Sequence, residues 1–140
     1  MPNRKHTTWV TTFDGQLGRV YAKGDDGNLR HLADEGMDAR PQAETRPDGG
    51  DLKQATMGVD GGDITFSTEE QFVKTFTGHL EQRARHGAFD RLIVSADPKS
   101  LATFRKAVAS ELKDKIVVEL NKDHVHTPVK ALEQAISEHL

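Results

Sequence analysis

Residues 91–120 read RLIVSADPKSLATFRKAVASELKDKIVVEL. Leu92-Ile93-Val94 is an unbroken apolar core, the pattern of a strand buried on both faces. Asp97-Pro98 then supplies an N-cap carboxylate and a proline at the first helical position. Leu101, Phe104, Val108 and Leu112 recur at helical spacing, which predicts one helix carrying all four. Ile116-Val117-Val118-Glu119-Leu120 is β-branched and apolar, and predicts a second strand. A strand, a crossover helix and a strand form a unit whose two strands run parallel.

Upstream, Trp9-Val10-Thr11-Thr12-Phe13 predicts a first strand, stopped by Asp14-Gly15, a pair that favours a turn. Gly18 to Lys23 predicts a second strand. Gly24-Asp25-Asp26-Gly27-Asn28 turns the chain, and Leu29 to Ala33 returns as a third. Such short connections make an antiparallel meander. From about residue 35 to 66 apolar residues thin out, and Gly, Asp, Pro and Arg dominate, so a long flexible loop is expected. Ser67-Thr68-Glu69-Glu70 fits a capping box with Ser67 as N-cap. Phe72, Val73, Phe76 and Leu80 follow on one helical face, and Arg85-His86-Gly87 closes that helix. Downstream of the quoted stretch, Thr127-Pro128 opens a last helix with Val129, Leu132, Ile136 and Leu140 on one face.

The expected order is three strands, loop, helix, strand, helix, strand, helix. It predicts an α/β fold of three layers, with a mixed five-stranded sheet and three helices, forming one domain over 1–140. A meander running into βαβ units matches the ribonuclease-H-like architecture, with the first strand central and beside the fourth. The third strand is expected at an edge, blunted by Arg30 and His31.

The chain has 140 residues, a net charge of -3 and no cysteine. Disulfides, thiol nucleophiles and thiolate zinc sites are therefore excluded. A pI of about 6.1 and a mean hydropathy of -0.64 give no whole-protein field for nucleic acid. No stretch approaches the roughly 18 apolar residues of a membrane span. No secretory apolar segment follows the basic start, so the expected location is the cytoplasm.

Several residue types carry chemistry. The first, fourth and fifth strands would be parallel neighbours, so Asp14, Asp97 and Asp123 with His124 follow strand ends that share one edge. Ligands favour that edge in open α/β sheets, and carboxylates suit magnesium or manganese in phosphoryl transfer. Aspartate suits turns and helix caps equally well, and these local roles are the favoured reading. His124 and His126 flank Val125 with no firm third zinc ligand. Arg83 and Arg85, with His86, form a basic cluster that fits either RNA phosphates or the dipole of a helix end. No nucleophile elbow, P-loop or dinucleotide fingerprint is present.

Phe89 to Pro98, then Leu101, Phe104-Arg105-Lys106-Ala107 and Ile116 to Asp123, resemble the bacterial host-attachment family, proteins required for attachment to host cells. Trp9 to Gly15 resembles that family's opening, and Phe72 its first-helix core phenylalanine. The family is similar to the middle domain of archaeal and eukaryotic release factors. The resemblance implies a ribonuclease-H-like fold and a link to ribosomes or RNA. Release factors carry Gly-Gly-Gln in the loop before the first helix, where this chain has Gly61-Gly62-Asp63. Aspartate cannot donate the amide hydrogen bonds of glutamine, so peptide release is not expected.

The expectation is a binding or adaptor domain for a protein or an RNA or ribosome partner, contacted through Gly61, Gly62, Asp63, Arg83 and Arg85. The alternative is a metal-dependent phosphodiesterase or RNA-processing enzyme that uses Asp14, Asp97 and Asp123.

Overall fold

The structure, a computed structural model, describes residues 7–39 and 68–139. The strands are β1 (Thr8–Phe13), β2 (Leu17–Lys23), β3 (Leu29–His31), β4 (Met37–Asp38), β5 (Arg91–Ala96) and β6 (Ile116–Leu120). The helices are α1 (Glu69–Arg85), α2 (Pro98–Ala107), α3 (Ser110–Lys113) and α4 (Val129–Ser137). A 3₁₀ turn spans Ala33–Glu35.

The sheet is mixed and runs β3-β2-β1-β5-β6, with β4 also paired to β2. β1 sits at the centre, antiparallel to β2 and parallel to β5, and β5 is parallel to β6. The short Asp14-Gly15-Gln16 link can only return the chain antiparallel, whereas α1 and α2 carry it back for parallel pairing. The sheet therefore follows the predicted meander and βαβ units, with the first strand beside the predicted fourth.

The alternation along β1 sorts the two faces. Trp9 and Phe13 join Phe72, Phe76, Leu80, Leu92, Val94, Leu101 and Phe104 in the larger core, under α1, α2 and α3. Phe13 meets the rings of Phe76 and Phe104 at 5.6 and 5.5 Å. Val10, Tyr21, Ile93 and Leu120 pack with Leu132 and Ile136 of α4 on the opposite face. Burying one such side chain stabilises by roughly 1.5–3 kcal/mol, which is why the helices dock where their apolar faces point.

The details depart from the sequence expectations in four places. The described residues form six strands and four helices, where five and three were expected. The third strand stops at His31, and Ala33–Glu35 turn instead of extending it. The predicted loop does not begin at residue 35: β4 pairs Met37 with Gly18 and Asp38 with Leu17 on the edge of β2. Gly18 also lets the Phe76 ring of α1 approach β2, because a Cβ there would lie 2.8 Å from that ring. The helix predicted across Leu101 to Leu112 breaks at Val108 and Ala109, both extended. Glu81 of α1 accepts the Ala109 N–H, and that tertiary bond replaces helix continuation. α1 is capped by Thr68, whose Oγ1 accepts the Gln71 N–H at 3.0 Å, one residue beyond the predicted cap.

Candidate functional site

The C-terminal ends of β1, β5 and β6 lie along one edge of the sheet. Asp14 follows β1, Asp97 follows β5 and Asp123 follows β6, as the sequence order requires. Each carboxylate turns back on its own backbone. Asp14 Oδ1 accepts the N–H groups of Gln16 and Leu17, both at 2.8 Å. Asp97 Oδ2 accepts the Ser100 N–H at 3.1 Å and caps α2. Asp123 Oδ1 accepts the Val125 N–H at 3.1 Å. His124 Nδ1 is 3.1 Å from Thr127 Oγ1, and His126 is exposed. Among the described residues, no three His, Asp or Glu side chains stand close enough to hold a metal ion. The edge thus holds turns and a cap, with no assembled magnesium, manganese or zinc site among those residues.

The most extensive ionic arrangement among the described residues joins the 3₁₀ turn to α1. Glu35 ends the 3₁₀ turn, and its side chain is 13% exposed. Arg83 donates from Nε to Oε1 at 2.9 Å and from Nη2 to Oε2 at 2.8 Å. His79, one turn earlier on α1, places Nε2 2.8 Å from Oε1. The Arg83 guanidinium holds the Glu35 carboxyl below the usual carboxylate range; partial burial opposes this, and His79 adds to it. Glu35 in turn raises the pKa of Arg83. Beside this clamp is an open cleft of about 550 Å³, whose walls include Trp9, Ala22, Arg30, Leu32, Asp34 and Glu35.

The basic cluster expected at the end of α1 is therefore matched by acids of the same chain. Arg83 is taken by Glu35, and Arg85 meets Glu111 at 3.2 Å with both side chains exposed. Sequence reasoning missed Glu35. His79 and Arg83 at four-residue spacing share one face of α1, but nothing local links them to an acid 44 and 48 residues away. Gly61, Gly62 and Asp63 lie outside the described residues.

The sequence profile of the bacterial archaeo-eukaryotic release factor family 12 matches residues 7–136. The chain belongs to that family. As a family 12 member it shares its fold with a solved archaeal protein, which is 13% identical and has a TM-score of 0.53. That match covers 94% of this chain and 33% of the archaeal protein, so the family 12 chain spans about a third of that protein. A solved archaeal translation termination factor, aRF1, is also 13% identical, with a TM-score of 0.47, and is covered over 39% of its length. No curated protein matches the chain.

Proposed function

We propose that the chain is a translation-linked binding domain whose partner is the ribosome. The observation that carries this reading is membership of a release-factor family across residues 7–136. Binding is favoured over hydrolysis because, among the described residues, no three His, Asp or Glu side chains come close enough to share an ion. A two-metal phosphodiesterase needs such a cluster of ligands. The ribonuclease-H-like class, a cytoplasmic location and the host-attachment resemblance of residues 89–123 belong to the same proposal, and an attachment phenotype would then be an indirect consequence of altered translation. Sedimentation with ribosomes over a salt series tests it, because contacts to phosphate weaken steeply as salt rises.

A further inference from the structure

Most cations on α1 and α2 that reach an acid are neutralised by it: Lys74, Arg83, Arg85, Lys99 and Arg105 each lie within 4.0 Å of a carboxylate. One group of cations behaves differently. Lys23, the last residue of β2, is paired across the ladder with Thr8, the first residue of β1. Thr8 is paired in turn with Arg91, the first residue of β5. Lys115 stands one residue before Ile116, the partner of Leu92, as Arg91 stands one before Leu92. Its carbonyl accepts the Leu92 N–H at 2.8 Å, which fixes that alignment.

Cross-strand partners point to the same face of a sheet, and neighbouring strands are about 4.8 Å apart. Lys23, Thr8 and Arg91 therefore form one row across three adjacent strands, with Lys23 and Arg91 about 10 Å apart, and Lys115, in the turn that leads into β6, extends its line about 5 Å beyond Arg91. The row lies at the end of the sheet opposite Asp14, Asp97 and Asp123. Arg91 is exposed and the two lysines are half-buried. Among the described residues, none of the three cations has a carboxylate partner. Two acids nearby in sequence are directed elsewhere: Asp90 Oδ2 accepts the Thr7 N–H at 3.0 Å, and Asp26 binds the backbone and side chain of Asn28.

Two such cations held in register on the sheet and a third in the adjoining turn repel one another, and the repulsion is relieved by an anion that spans them. We infer that the row Lys23, Arg91 and Lys115 is a contact surface for an RNA phosphate backbone. A protein partner would need a buried aromatic or aliphatic anchor at the centre of its footprint. This row offers only charge and the Thr8 hydroxyl, which suit phosphate and sugar oxygens and read no base. The inference rests on the translation-linked reading and names the part of the surface that meets RNA.

The test compares the wild type with a triple variant, Lys23→Gln, Arg91→Gln and Lys115→Gln. A control, Lys99→Gln, Lys106→Gln and Lys130→Gln, removes the same charge from α2 and α4. Thermal melts confirm that each is folded, and the single variant Arg91→Gln at the exposed position serves if the triple is not. Binding to single-stranded RNA is measured by fluorescence anisotropy from 50 to 200 mM salt, probe conditions on the order of those where counterion release is read. The wild type and control should bind with a logarithmic salt slope of about -2, near 0.7 per phosphate for three contacts. The row variant should bind at least about tenfold more weakly, with that slope largely lost. Equal binding by all three, no binding by the wild type, or equal competition by polyglutamate would overturn the assignment. Ribosome sedimentation of the same proteins separates the two claims. Ribosome binding that survives in the row variant removes the row and keeps the function; RNA binding lost in the row variant, without ribosome binding in the wild type, does the reverse.

Discussion

Arg83 spans 48 residues of sequence to place two nitrogens on the two oxygens of Glu35, at 2.9 and 2.8 Å. That fork ties the 3₁₀ turn to α1, and His79 completes it. Charge-assisted paired bonds are stronger than neutral ones and depend on the planar shape of the guanidinium. Glu35→Gln should cost about 1–2 kcal/mol, since it removes the charge and one acceptor while leaving the part-buried site polar. A thermal melt should show this as a drop of roughly 3–8 °C. Arg83→Lys should fail to restore the wild-type midpoint, because a lysine cannot seat both oxygens at once.

The same clamp sets a dependence on pH. Glu35 has its folded pKa lowered, chiefly by the Arg83 hydrogen bond. A carboxyl with a depressed folded pKa contributes stability that is present above its unfolded value and is lost as pH falls through the folded one. The gap in midpoint between wild type and Glu35→Gln should therefore be full near neutrality and shrink as pH falls below the ordinary carboxylate range. Denaturant melts of both proteins down that series measure it, and a gap that widens in acid contradicts the clamp.

Gly18 is placed by a ring rather than by a turn. A Cβ there would lie 2.8 to 2.9 Å from three Phe76 ring atoms, and Phe76 is fully buried. Gly18→Ala should destabilise by about 1–3 kcal/mol through overpacking. Combining it with Phe76→Leu should recover part of that loss, as a double-mutant cycle would record.

Asp97 acts as a helix cap in this structure, so Asp97→Ala should cost about 0.5–2 kcal/mol. Thermal-shift titration with magnesium and manganese should give the same response in wild type, Asp97→Ala and Asp123→Ala. A cation-induced shift that disappears in either variant would instead restore a metal role for the strand ends.

Much of this architecture is legible in the residues themselves. Leu92-Ile93-Val94, Asp97-Pro98 and the Phe72, Phe76, Leu80 face each carry a local signal, and each lies in its predicted strand, cap or helix. What was not legible depends on distant partners. The 3₁₀ turn and the two-residue β4 carry no repeated apolar period and are held by Arg83, His79 and the edge of β2. The break at Val108 and Ala109 comes from Glu81, 28 residues before Ala109, and the helical period persists across it because Leu112 is still buried. The basic row is invisible in sequence for the same reason: Lys23 and Arg91 are brought together by strand pairing, and Lys115 joins them through the turn whose carbonyl accepts the Leu92 N–H.

We propose that this family 12 chain binds ribosomes. Sedimentation of purified chain with ribosomes through a sucrose cushion, repeated at rising salt, tests it most directly. The account predicts saturable co-sedimentation at low salt that falls steeply as salt increases. A chain that stays in the supernatant at every salt concentration contradicts it.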